Sequence, residues 1–229
     1  AALAATATTQ AQATATAIAQ ITATANAQAS ATVGPIQTAT SGQPSYSDAL
    51  NDPNNAATMA AGWDTNNQCA FQSDGYHVTT GSGIKGCHES NINYGNAAIT
   101  VEMRIVSGQS GGVFFRLNTV FLIGAYQGYL FEVDNAGRYR IVDSGNFSVG
   151  NPTILQNWTT SSALHTGSAT NTLQILMRGS DLAFYANGAF LIHLTDASYT
   201  SGQIGFLARS DGTAQADVAF SNLKVYTLS

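Results

Sequence analysis

From about residue 97 onward the chain alternates. Ile99, Val101, Met103 and Ile105 are apolar, whereas Thr100, Glu102 and Arg104 between them are polar, which is the period-two pattern of a strand with one buried face. Further runs of strand character follow at 112–117, 128–133, 138–142, 172–177, 181–186, 190–194, 203–208 and 217–220. Turn residues separate them. Asn187-Gly188 lies between two runs and predicts a two-residue hairpin, and Asp134-Asn-Ala-Gly137 plays the same part between Val133 and Arg138. Many short strands without a second helical pattern predict an antiparallel β-sandwich of the jelly-roll type, so the chain is read as mainly β.

The first 33 residues follow another rule. They are almost entirely Ala, Thr and Gln, in near-repeats such as 11–17 and 23–29. Ala and Gln favour helix and Thr weakly opposes it, so the sum predicts a long N-terminal α-helix over 1–33. Leu3, Ile18 and Ile21 fall on one face of it. Gly34-Pro35 is expected to stop it sharply, and 34–47, with Pro35, Gly42 and Pro44, to form a linker before a sandwich over 48–229. A helix with so thin an apolar stripe and no ion pairs needs partners in water, and its small side chains allow close lateral packing. A disordered or glycosylated stalk, or a long strand, are the competing readings of this tract.

Composition narrows the function classes. Only 9% of residues are charged, and 8 Lys plus Arg against 13 Asp plus Glu give a net charge of -5, so there is no basic stripe for a phosphate backbone and nucleic acid is excluded as a partner. No apolar run approaches the roughly 18 residues of a membrane span. The sequence opens at Ala1 without a basic leader, which reads as a processed or truncated product. Cys69 and Cys87 flank a polar, Gly-rich stretch that can fold back on itself. They are expected to form a disulfide, in preference to two free thiols or a metal site, which places the chain in an oxidising, extracellular or cell-surface compartment.

From Tyr46 to Leu228 the order of motifs resembles the concanavalin A-like lectin/glucanase superfamily, in its laminin-G-like and sugar-hydrolase-like bacterial branch. The residues that carry the likeness are 99–105, Gly111-Gly-Val-Phe-Phe-Arg116, 129–133 with Gly137-Arg-Tyr, Asn171-Thr-Leu-Gln-Ile, the hairpin 182–188 and Gly202-Gln-Ile-Gly-Phe206. The resemblance implies a sandwich whose relatives bind or cleave glycans or mediate extracellular adhesion. Its hydrolases carry three acidic residues at alternate strand positions. Here Glu132 and Asp134 supply two, and Ala136 stands in the third place. A broken motif that runs into a turn does not secure the carboxyl separation that retaining hydrolysis needs, so no enzyme activity is expected. Tyr129, Phe131 and Val133 should fill the core, with Glu132 facing solvent and Asp134 opening the turn.

His77, His88, His165 and His193 show no paired ligand spacing, and no cofactor is expected. Calcium remains a candidate ion at the loop residues Asp48, Asp52 and Asp74. Trp63, Tyr126 and Trp158 are the candidates for stacking on a sugar, with core or surface packing the alternative for each. Two functions follow. In the leading one the chain is an extracellular structural subunit that self-assembles through its N-terminal helix into a pilus-like surface filament, displaying the sandwich in adhesion. In the other it is a stalked carbohydrate-binding module with glycans as partners.

Overall fold

The computed structural model describes residues 32–120, 125–145 and 152–229. Residues 32–39 are helical (α1) and Ala56–Ala61 form α2. The early strands are β1 (Tyr46–Asp48), β2 (Cys69–Gln72), β3 (Gly75–Thr80), β4 (Gly83–His88), β5 (Ala97–Ser107), β6 (Ser110–Val120) and β7 (Ala125–Asp134). The later ones are β8 (Arg138–Asp143), β9 (Thr153–Thr160), β10 (Asn171–Arg178), β11 (Asp181–Ala186), β12 (Ala189–Thr195), β13 (Gln203–Ser210) and β14 (Ala216–Thr227). Among the described residues these make two antiparallel sheets. The 8-stranded sheet runs β12-β11-β10-β5-β14-β3-β2, with β1 also paired to β14, and the 6-stranded sheet runs β4-β13-β6-β7-β8-β9.

The alternation in β5 is realised as a one-sided strand, with Ile99, Val101, Met103 and Ile105 in the core. Facing them from the smaller sheet are Val113, Phe115, Tyr129, Phe131, Ile204 and Phe206. Phe206 and Phe220 stack across the gap with ring centroids 4.1 Å apart. Such offset aromatic contacts add to the area that the sandwich removes from water. Asn187 and Gly188 take φ of 51° and 80°, the left-handed pair that a two-residue primed turn demands, and Ala186 pairs with Ala189 across it. Cys69 on β2 and Cys87 on β4 are disulfide-bonded, with Cα atoms 5.9 Å apart. The bridge therefore ties an edge of one sheet to an edge of the other.

Two expectations change. Helical structure does not end at Gly34-Pro35, because residues 32–39 are helical and Val33, Ile36 and Ala39 pack on Ala98, Leu176, Ala183 and Tyr185. Apolar contact with the outer face of the larger sheet outweighs the local helix-breaking signal. The expected linker 34–47 is accordingly helix in its first part and strand from Tyr46, so the sandwich begins two residues before Asp48. The stretch between the cysteines folds back on itself, as expected, through β2, β3 and β4. The rest of the expected N-terminal helix, with Leu3, Ile18 and Ile21, lies outside the described residues.

Candidate functional site

The outer face of the six-stranded sheet can be laid out from its register. One row crosses Ile84, Arg209, Ser110 and Asp134. The next crosses Gly86, Leu207, Gly112, Glu132 and Arg140, and a third crosses His88, Gly205, Phe114, Leu130 and Val142. The first two rows carry the charged residues Arg209, Asp134, Glu132 and Arg140, and the third is apolar apart from His88. Phe114, Leu117, Leu130, Val142 and Leu207 form a buried cluster of their own, separate from the main core. Gly112 keeps the centre low, since a Cβ there would stand 2.5 Å from the Phe131 carbonyl oxygen.

Glu132 and Asp134 do share this face, and both carboxylates are held by neighbouring donors. Glu132 is 0% exposed, which corrects the expectation that it faces solvent. Its Oε1 accepts from Ser110 Oγ and Arg209 Nε, both at 2.6 Å, and its Oε2 from Arg140 Nε at 2.8 Å and Arg209 Nη2 at 3.2 Å. Burial pushes the carboxyl up, but the hydrogen bonds and charge of Arg209, with Ser110 and Arg140, carry it below the ordinary range. Such a group stays a carboxylate and has no lone pair to spare. Asp134 is likewise occupied: Oδ1 accepts from the backbone N–H of Ala136 and Arg138, and Oδ2 from Arg138 Nε at 2.7 Å. It opens the turn as expected, and Tyr129, Phe131 and Val133 fill the core.

Beside the apolar row lies a cleft of about 220 Å³, lined by Ile84, Lys85, His88, Phe114, Leu117 and Tyr126, with backbone from Gly86 and Cys87. Tyr126 is 36% exposed and packs edge-on to His88, with centroids 4.8 Å apart. Asp64 fixes the imidazole: its Oδ2 accepts from the His88 backbone N–H at 3.0 Å and sits 2.9 Å from His88 Nδ1. Burial raises the Asp64 carboxyl, yet the His88 hydrogen bonds and the charges of His88 and Lys85 leave it below its ordinary value. With Nδ1 held, Nε2 is the ring nitrogen left to meet a ligand. An aromatic ring, a fixed imidazole and a lysine around an apolar floor are the kind of lining from which small-molecule sites are built.

Of the three aromatics expected to stack on sugar, only Tyr126 lines this cleft. Trp63 belongs to the core at 7% exposure, stacked on Phe206 with centroids 4.9 Å apart. Trp158 is half-buried at the other side of the sheet, with the Arg140 guanidinium 4.7 Å and that of Arg138 5.4 Å from its ring centre. The candidate calcium ligands are dispersed. Asp48 accepts from Leu50 N, Thr58 Oγ1 and Tyr46 Oη, Asp52 from Asn54 N, and Asp74 pairs with His77 and Arg104. Among the described residues no three His, Cys, Asp or Glu side chains are grouped to hold a metal, and no helix is long and apolar enough to cross a membrane. His88 and Asp64 were not singled out as a pair from sequence, because 24 residues and the β2–β4 strands separate them.

Two packed antiparallel sheets of this topology place the chain in the concanavalin A-like class of jelly-roll sandwiches. Within that class it belongs to the family of 3-keto-alpha-glucoside-1,2-lyase-like domains, whose pattern matches residues 51–226. The carbohydrate-binding module CBM66 from Bacillus subtilis is similar in fold, with TM-score 0.59 at 18% identity, over 73% of this chain and 97% of that one. Bacillus licheniformis beta-glucanase aligns with TM-score 0.55 at 13% identity, covering 82% of this chain and 99% of the enzyme. A native glycosidic hydrolase aligns with TM-score 0.61 at 12% identity, covering 82% and 97%. No curated protein matches the sequence. The neighbours are thus carbohydrate-binding and glycosidase-fold proteins, and nothing among them supports filament assembly.

Proposed function

We propose that this chain is a secreted carbohydrate-binding module that takes a glycan in the Tyr126–His88 cleft and does not cleave it. The observation that carries the reading is the division of labour on one sheet face. The carboxylates in the position of a hydrolase motif are consumed by Ser110, Arg138, Arg140 and Arg209, while the adjoining cleft offers an exposed tyrosine and an oriented histidine. The likeness to a carbohydrate-binding module supports this, and the disulfide supports an extracellular setting. The filament reading depends on the tract before residue 32 and draws no support from the comparisons.

The test is affinity electrophoresis of the full chain through gels holding β-glucan, xylan or polygalacturonate. Retardation by at least one polysaccharide, weakened about tenfold in Tyr126→Ala, is the expected result, since one aromatic contact is worth about 1 kcal/mol or somewhat more. Migration unaffected by every polysaccharide, or release of reducing ends from them, overturns the proposal.

A further inference from the structure

Three of the four arginines on the six-stranded sheet use their guanidinium in one way. Arg138 sets Nε and Nη2 on Asp134, and Arg140 and Arg209 set the same two nitrogens on Glu132. Arg209 spreads its two bonds over both oxygens of Glu132, the parallel fork whose spacing matches a carboxylate, whereas Arg138 and Arg140 each converge on one oxygen, Asp134 Oδ2 and Glu132 Oε2. The fourth, Arg116 on β6, is the most buried of the set at 1% exposure. Its Nη1 donates to the Tyr199 carbonyl at 2.8 Å, but Nε and Nη2 are both buried and have no hydrogen-bond partner among the described residues. A buried cation whose fork is unmet is the costly exception among polar groups and calls for an explanation.

The backbone around it is built to hold that position. Arg116 has φ +48°, where the β6–β7 register shifts between Phe115 and Asn118, a left-handed conformation that long side chains rarely take. Glycines on both sides make room for the kink: a Cβ at Gly128 would lie 2.7 Å from the Arg116 oxygen, and one at Gly202 2.3 Å from its carbonyl carbon. Asn118 Nδ2 locks the kink by donating to the carbonyls of Arg116 and Ser201 at 2.8 and 2.9 Å. The next residue, Leu117, lines the glycan cleft.

We propose that the Nε/Nη2 fork of Arg116 is a carboxylate-binding site. Resting on the glycan-binding reading, the inference assigns the carboxylate to a uronic acid residue, so the ligand is an acidic glycan. The fork is occluded by the connection between β12 and β13, which lays the Tyr199 carbonyl on Nη1, and the proposal requires that connection to lift when the ligand enters.

Calorimetric titration of the full chain with glucuronate, glucose and acetate at fixed ionic strength tests this, with hydrogen exchange followed across residues 196–202. Glucuronate should bind at least about tenfold more tightly than glucose, as expected for a charge-assisted bidentate contact, and should alter exchange in 196–202. Arg116→Lys keeps the charge but loses the fork, and should bring glucuronate down to the level of glucose. Equal binding of glucuronate and glucose overturns the proposal, as does undiminished glucuronate binding by Arg116→Lys. Should that variant not fold, the glucuronate-to-glucose ratio of the unaltered chain decides alone. Acetate binding as tightly as glucuronate sustains the fork and assigns it to free carboxylates. If Tyr126→Ala leaves polysaccharide retardation unchanged while glucuronate still depends on Arg116, the cleft reading falls and the fork stands.

Discussion

The outer faces of the two sheets carry the same ingredients to different ends. Each has an apolar cluster and an ion cluster. On the eight-stranded sheet the apolar cluster is capped by α1 through Ile36 and Ala39, and the ion cluster of Asp74, His77, Asp217 and Arg104 lies open, with the Asp74 side chain 50% exposed. On the six-stranded sheet the ion cluster is the closed part, with Glu132 fully buried between two arginines, and a cleft stays open beside the apolar residues. The helix covers the first face only in part, with a cleft of about 280 Å³ left between Pro35, Tyr185, Phe190 and His193, and its apolar contacts suit that face to holding α1. A face whose charges are already neutralised internally, and whose cleft is free, is suited to a ligand.

The largest effect should come from breaking the closed cluster. Glu132→Ala leaves Arg140 and Arg209 without their counter-charge and should cost about 4 kcal/mol in urea unfolding, because removing one partner of a buried pair strands the other. The same carboxylate governs the acid limb of stability. Its folded-state value is depressed, so its contribution is fully present above the unfolded glutamate value of about 4.3 and is lost as pH falls through the lower folded value. Asp64 acts in the same direction. Glu89, raised chiefly by burial, acts oppositely and gains on acidification. Urea midpoints measured from pH 6 down to pH 2 should fall for the unaltered chain, and fall less for Glu132→Ala.

Opening the disulfide comes next. Cys69 and Cys87 join β2 of the larger sheet to β4 of the smaller across a separation of 18 residues. Loop-closure entropy alone puts the bridge at about 3 kcal/mol. Comparing unfolding with and without a reductant measures it, and an unchanged midpoint would show that the sheets hold together without the staple.

How much of this contrast was legible beforehand depends on the reach of each interaction. Local periodicity placed the core face of β5 and the hairpin at Asn187-Gly188, because side-chain direction and turn chemistry are decided within a few residues. The Asp134–Gly137 turn even implies that Arg140 sits opposite Glu132. Arg209, 77 residues away, completes the enclosure, and no local pattern announces it. Trp63 looked available for sugar because its stacking partner Phe206 comes from β13 at the far end of the chain. The helix at 32–39 was obscured by Gly34 and Pro35, whose local signal loses to docking on a sheet assembled much later in the sequence.

That docking sets the next prediction in size. Ile36, on the face of α1 that packs on the larger sheet, is 1% exposed, and Ile36→Ala should cost about 2 kcal/mol, the lower end for a buried truncation because the helix can shift to refill the space. Hydrogen exchange should rise in 32–39 and in the facing residues of β10 and β11, while glycan retardation stays unchanged. Loss of glycan binding in this variant would mean that the two faces are coupled, and the separation of roles drawn above would not hold.

The smallest effect tests whether exposure truly divides the ion clusters. Arg104 pairs with Asp74 on the larger sheet, both well exposed at 34% and 50% of their side-chain surface. Water and salt screen such a pair, and its two side chains give up rotamer freedom to stay in register. Arg104→Ala should therefore cost about 0.5 kcal/mol and lose even that in molar salt. His77 keeps its contact with Asp217 at 2.7 Å in the variant, so the strand beneath should remain in place. Urea midpoints of Arg104→Ala and Glu132→Ala at low and high salt set the two clusters side by side. A salt-independent loss as large as that of Glu132→Ala would make the open cluster as structural as the closed one, and burial would no longer explain why one face is left for a ligand.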